Sequence, residues 1–287
     1  MSKRKQDDSD SDSSDVNLID VDFDFFDPNP AVDYIAIKRL LVQLFQSDAE
    51  GLHLNELTDL ILSQPTVGTT IKTDGMESDP YALLTVLNLH VQRDHPSIRA
   101  LVEYILRKTS QSSDPSFHGA LSVLLSPDQT AQHVGLIICE RLINMPVQTV
   151  PPMYKMLGDE IRWAIEANQP FTFSHLLFVS RTYHLSPEEE SYLASNPRSP
   201  SSKKSKKQKA KSQPVAQRPA DGIYPFHPED DIIMQCASHT LNYSFDNAPR
   251  EKRDAETFGI DNRGRVMLVP VERFEELIRR MGETYVA

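Results

Sequence analysis

Apolar positions change period repeatedly along the chain. Ile19, Val21, Phe23 and Phe25 alternate with Asp20, Asp22 and Asp24, the period of a strand with one apolar and one carboxylate face. Asp27-Pro28 and Pro30 stop it. Tyr34, Ile37, Leu41, Leu44 and Phe45 then recur at helical spacing, and a shorter helix follows from Leu54 to Leu62, ended by Pro65. The run Leu83 to Leu89 reads as a buried strand. After His95-Pro96, the positions Ile98, Leu101, Val102, Ile105 and Leu106 share one helix face.

Ala120 to Leu125 reads as a further strand. Ser126-Pro127-Asp128-Gln129 carries an N-cap, a proline at the first helical position and a capping-box partner, which predicts a helix to about Asn144. Another helix starts near Pro151, with Met153, Met156, Leu157, Ile161, Ala164 and Ile165 inward. Phe171 to Val179 is aromatic and β-branched enough for a strand. Ser186-Pro187-Glu188-Glu189 repeats the helix-start signature. Pro228 to Ala237 is helical; Leu241, Tyr243 and Phe245 mark a strand, Val266 to Val269 a last strand, and Phe274, Leu277, Ile278 and Met281 a final helix. Strands interleaved with helices imply an α/β domain, a sheet with helices packed on it.

Charge divides the 287 residues unevenly. Nine Asp and no base lie between Asp7 and Asp27; eight Lys/Arg and no acid lie between Arg198 and Arg218. With −6 assigned to residues 1–30 and +8 to the basic tract, the net −11 leaves −13 on the rest. Such a body repels phosphate backbones and attracts basic proteins. Residues 1–15 are expected to be a disordered acidic tail, with Ser9, Ser11, Ser13 and Ser14 in a context that suits an acidophilic kinase. Residues 196–222 form a lysine-rich disordered insertion, and residues 16–195 with 223–287 make one domain. Lys203, Lys204, Lys206, Lys207 and Lys209 have the density of a nuclear import signal, with Lys3-Arg4-Lys5 as the fallback. The first residues lack the apolar core of a signal peptide, and no apolar run has the ~18 residues of a membrane span, so a soluble intracellular protein is expected.

Catalytic patterns are few. Asp20-Val-Asp22 after a strand invites comparison with phosphatases of the haloacid dehalogenase type. Phe23-Asp24 replaces the small residues that should follow, and no later acidic pair with its glycine exists. Nine histidines show no metal spacing; His90 and His95 read as polar-edge residues, Cys139 as a core residue of a helix, and Cys236 as a helix end. There is no Gly-x-Ser-x-Gly elbow, and the ten glycines contain no Gly-x-Gly pair for a phosphate loop. The acids of His227-Pro-Glu-Asp-Asp231 read as first-turn charges complementing a helix dipole. No catalytic, cofactor-binding or metal-binding residue is nominated.

Val21-Asp-Phe-Asp-Phe-Phe-Asp-Pro, Glu140-Arg-Leu-Ile-Asn-Met-Pro with Val150-Pro-Pro-Met-Tyr, Phe226-His-Pro-Glu-Asp, and Phe258-Gly-Ile with Gly264-Arg-Val-Met-Leu-Val together resemble the BCCIP family over about residues 16 to 281. The acidic head and late lysine-rich insertion are similar to those of its fungal members. The resemblance implies a single mixed-sheet domain with flanking helices, similar to GCN5-related acetyltransferases but without their coenzyme A loop. It also implies a non-enzymatic nuclear chaperone and adaptor for a basic large-subunit ribosomal protein, supporting nuclear export, protein transport and ribosome biogenesis, without a cofactor. Expected partners are that client, a nuclear import receptor and the export machinery, with shuttling between nucleus and cytoplasm, and with neither membrane nor direct nucleic-acid binding. Asp20, Asp22 and Asp24 are the expected client-binding face. The alternatives are an acyltransferase-like enzyme on the related fold, and a nucleic-acid-associated cell-cycle or repair adaptor.

Overall fold

The computed structural model describes residues 22–187, 189–191, 219, 221–248 and 261–285. In chain order these form β1 (Asp24–Phe26), α1 (Tyr34–Phe45), α2 (Leu54–Leu62), β2 (Thr69–Lys72), β3 (Ala82–Asn88), α3 (Pro96–Ser110), α4 (Pro115–Leu124), β4 (Val134–Arg141) and α5 (Val150–Glu166). β5 (His175–His184), β6 (Ile223–Pro225), α6 (Asp230–Cys236), β7 (His239–Ser244), β8 (Asp261–Pro270) and α7 (Phe274–Thr284) complete the order. The strands make one mixed sheet, β1-β2-β3-β4-β5-β8-β7, with β6 added to β5. Every pairing is antiparallel except that of β4 with β5.

The sheet has two cores because its central strands are apolar on both faces. Leu83, Leu87, Leu136, Ile138, Leu177, Val179, Val266 and Leu268 face α1, α2, α3 and α4. Ala82, Leu84, Val86, Ile137, Leu176, Phe178, Met267 and Val269 face α5, α6 and α7. Odd and even positions thus go to opposite layers, and a one-residue slip would exchange the two sets. Burying one such Leu or Ile stabilises the fold by about 1.5–3 kcal/mol.

Two expectations are overturned between residues 115 and 144. Ala120 to Leu125 belongs to α4, not to a strand: Asp114 caps the helix by accepting the Ser116 N–H at 2.9 Å, Pro115 opens it, and Phe117, Leu121 and Leu124 face the core. No helix runs from Pro127 to Asn144. Gln129 turns the chain instead, its Oε1 accepting the N–H groups of Ala131 and Gln132. β4 follows, carrying Cys139 in a strand. The run from Val134 to Ile138 is apolar at every position but Gly135, so it has no period, and pairing with strands on both sides decides for a strand.

Elsewhere the expected elements stand with shifted ends. The strand expected over Phe171 to Val179 begins four residues later and runs on through Ser180, Arg181 and Thr182. At Ser186 the capping box is formed in both directions, Ser186 N–H to Glu189 Oε2 at 2.7 Å and Glu189 N–H to Ser186 Oγ at 3.2 Å. Residues 1–21, including Asp20, and residues 192–218, including Lys203, Lys204, Lys206, Lys207 and Lys209, lie outside the described residues.

Candidate functional site

β4 and β5 run side by side only from Val134 opposite His175 to Ile138 opposite Val179. Beyond that point β4 stays with β3 as far as Arg141, and β5 stays with β8 as far as His184. The two parallel strands therefore part, and the opening exposes Cys139, Glu140 and Arg141 on one side and Ser180, Arg181 and Thr182 on the other. The chain itself occupies the gap. β6 pairs with β5 at Thr182, Tyr183 and His184, and the Phe226 N–H donates to the Arg181 carbonyl at 3.1 Å.

The residues after β6 pass from one face of the sheet to the other through this opening. On the α1 face, Glu140 accepts from Arg181 Nε at 2.8 Å and from an Arg181 terminal nitrogen at 3.1 Å. Glu140 Oε1 lies 2.9 Å from His227 Nε2 and accepts from Gln43 of α1 at 2.9 Å. The Arg181 guanidinium stacks on Phe226 at 4.5 Å. On the other face, Arg141 makes a two-armed pair with Glu229, and Ser180 Oγ donates to Asp230 Oδ2 at 2.6 Å. All of these ionic groups are buried.

Burial alone would raise a carboxyl pKa, and two neighbouring acids show opposite outcomes. At Glu140 the hydrogen bonds and charges of His227 and Arg181 outweigh burial and hold its pKa at about 2. At Asp230 burial dominates and pushes the pKa up to about 6, although His227, Ser180 and Arg265 pull the other way. The unoccupied space left among Cys139, Tyr154, Ser180, His227, Glu229 and Asp230 is a cavity of about 10 Å³, room for roughly one water. Tyr154 Oη reaches this region beside the Cys139 thiol.

Glu229 and Asp230, read from the sequence as first-turn acids complementing a helix dipole, stand at the helix start but are buried and bonded to Arg141 and Ser180, whereas Asp231 is exposed. The sequence shows their spacing but not the arginine and serine that come from strands about 50 to 90 positions away. Segments that carry the family resemblance, Glu140-Arg, Phe226-His-Pro-Glu-Asp and Gly264-Arg, meet here, Arg265 lying close enough for its charge to act on Asp230. His90 is half-buried, stacks on His133 at 5.0 Å and reaches the Leu124 carbonyl at 2.9 Å; Cys236 is buried at the end of α6. Among the described residues no His, Cys, Asp and Glu group has the arrangement of a metal site, and no helix is long and apolar enough to cross a membrane.

The acidic strand lies at the far edge of the sheet. Asp22 and Asp24 are exposed, while Phe23 and Phe25 pack into the α5-side core, as the alternation requires. Asp24 stands opposite Lys72, but the Lys72 ammonium is consumed by Asp33 at 2.6 Å and by the Met76 carbonyl at 2.7 Å, wholly buried. That pair fastens β2 to the start of α1 and leaves the Asp22 and Asp24 carboxylates free to face solvent.

Together these features define a three-layer α/β protein whose mixed sheet is filled by its own chain where its parallel strands part. The chain belongs to the BCCIP family, whose sequence profile matches residues 18–233. It is similar to Protein bcp1 of Schizosaccharomyces pombe, 43% identical over 272 residues that span 94% of this chain and 91% of that one. Protein BCP1 of Yarrowia lipolytica is 41% identical over 268 residues, 92% of this chain and 82% of that one. The crystal structure of BCP1 from Saccharomyces cerevisiae shares the fold, with a TM-score of 0.59 at 24% identity over 96% of this chain and 93% of that one.

Proposed function

We propose that this protein is a non-enzymatic chaperone and adaptor that holds a basic large-subunit ribosomal protein and supports its nuclear export and ribosome assembly. The observation that carries this reading is the pair of exposed, uncompensated carboxylates Asp22, just before the edge strand β1, and Asp24, at its start, on a strongly acidic body. An unassembled ribosomal protein is rich in positive charge, which such a surface screens and steers. Asp20 extends the same alternation in sequence and is included in the proposed client-binding face. Lys203, Lys204, Lys206, Lys207 and Lys209 are proposed to engage an import receptor, giving a protein that shuttles between nucleus and cytoplasm.

The competing reading is acyl transfer, because the family resemblance implies a fold similar to that of GCN5-related acetyltransferases. Three features count against it. The opening is occupied by β6 and the His227–Glu229 segment. The β4 to α5 connection, residues 142–149, contains no glycine. Two of the first three residues of α5, Pro151 and Pro152, lack the N–H that a phosphate would need there. The lysine cluster has no aromatic residue among it on which bases would stack, which disfavours the nucleic-acid reading.

The test is affinity purification of the full chain at low and high salt with mass-spectrometric identification, together with a calorimetric titration of acetyl-coenzyme A. A basic ribosomal protein retained at low salt and lost at high salt, with no heat from the coenzyme, is expected. A salt-insensitive partner set contradicts the electrostatic client, and stoichiometric coenzyme binding restores the enzyme.

A further inference from the structure

Trp163 is the only tryptophan of the chain, and 65% of it is exposed. It projects from α5, whose buried stripe includes Met153, Leu157, Glu160 and Ala164. α7 packs along one flank of that helix: a Cβ at Gly158 would stand 3.0 Å from Ile278. At 100° per residue Trp163 lies about 140° around the helix from Gly158, on the flank away from α7. Glu160, one turn before Trp163, shows what that flank faces. Its carboxylate accepts the Gly68 N–H at 2.9 Å and the Thr69 hydroxyl at 3.1 Å, at the start of β2. Pro28 borders the same glycine, 3.4 Å from where a Cβ would be, and the exposed Asp27 is among the charges that act on Glu160. The end of the acidic strand and the exposed indole therefore share one corner of the molecule.

From this corner we propose that Trp163 is the apolar anchor of the acidic docking surface, and that the occupant is a Lys/Arg-rich segment of a partner protein. The proposal rests on the basic-client reading above and names the contact that reading lacks. Charge complementarity identifies the occupant: Asp22, Asp24 and Asp27 are exposed, and Lys72, the base opposite Asp24, is already held by Asp33. An exposed indole is the best aromatic partner for an arginine or lysine arriving at those acids, which lays its cation over the ring while neighbouring cations meet the carboxylates. Asp24 lies on the α1 side of β1 and Trp163 on the α5 side. An extended segment along this edge sends alternate side chains to the two.

The single tryptophan is its own reporter. Full-length protein titrated at low salt with a short Lys/Arg-rich peptide should show a saturable change in emission and protection of Trp163 from acrylamide quenching, both lost at high salt. Trp163→Ala, at an exposed position, keeps the fold by circular dichroism and weakens peptide binding about three- to thirtyfold by calorimetry. Asp22→Asn/Asp24→Asn/Asp27→Asn weakens peptide binding at low salt and makes its dependence on salt shallower. Peptide binding that needs the aspartates but leaves Trp163 unshielded and Trp163→Ala unimpaired overturns the anchor and leaves the basic-client reading standing. Peptide binding indifferent to the aspartates overturns that reading itself. Shielding of Trp163 without peptide, accompanied by dimers in sedimentation, or equal shielding by an oligonucleotide, also overturns the proposal.

Discussion

Glu140→Gln separates shape from charge at the point where β4 and β5 part. The substituted side chain keeps its volume and its contact with Gln43 but leaves the Arg181 guanidinium without its counter-ion and alters the hydrogen bond to His227, all three sites being buried. Removing one partner of a buried pair costs about 3–5 kcal/mol, because the other charge stays desolvated. The carboxyl pKa gives a second route to the magnitude. A fall from 4.5 to about 2 corresponds to about 3 kcal/mol of folded-state preference for the ionised form. For a domain of this size each kcal/mol moves Tm by about 2–4 °C, so the variant should melt roughly 6–20 °C below the parent at pH 7. The pH dependence carries the sign. Glu140 is depressed in the fold, so its contribution is complete above 4.5 and is lost as pH falls toward 2. Urea titrations of parent and variant at pH 7 and between pH 4.5 and 2.5 should therefore converge at the acid end. Adding Arg181→Met to Glu140→Gln should restore part of the loss, since the unpaired cation is then gone. A variant within about 0.5 kcal/mol of the parent at pH 7, the range of an ordinary surface substitution, would refute the reasoning that the filled opening is an energetic keystone.

Asp230 should behave with the opposite sign. Its pKa is raised from 3.8 to about 6, so its protonated form stabilises the fold below 3.8 and up to about 3 kcal/mol is lost as pH rises through 6; Asp230→Asn should flatten that slope in urea titrations, and an unchanged slope would assign it elsewhere. Gly264→Ala should cost about 1–3 kcal/mol or more, because its Cβ would stand 2.1 Å from the Tyr243 ring across the β7–β8 pair; an unmoved denaturation midpoint contradicts this. Replacing Lys203, Lys204, Lys206, Lys207 and Lys209 by Ala should send a fluorescent fusion to the cytoplasm; a retained nuclear signal shifts the role to Lys3-Arg4-Lys5.

Much of the layer order is legible in the sequence, because amphipathic helices such as α1 and α7 and the alternating strands β1 and β7 announce their period. What escapes is decided at a distance. The β4 run is apolar on both sides, and only its seven-residue ladder with β3 and its parallel pairing with β5 distinguish it from a helix. The short strands β2 and β6 carry no periodic signal over four and three residues, and exist because longer neighbours offer them an edge. The acids of the candidate site divide in the same way. Asp22 and Asp24 stand out because carboxylates alternate with phenylalanines. Glu229 and Asp230 look like helix-start charges, since their partners Arg141 and Ser180 arrive from other strands. Trp163 gave no signal, as exposure of a helical aromatic depends on which flank the next helix covers.

The central claim, that an acidic edge on a non-catalytic sheet captures a basic client, is tested most directly by one affinity series. The dissociation constant of a purified basic large-subunit ribosomal protein should be measured at several salt concentrations for the parent and for Asp20→Asn/Asp22→Asn/Asp24→Asn. Weaker binding by the variant at low salt and a shallower dependence on salt are expected, the two proteins converging as salt rises. Equal affinities and equal slopes would contradict the claim and move the client to another face.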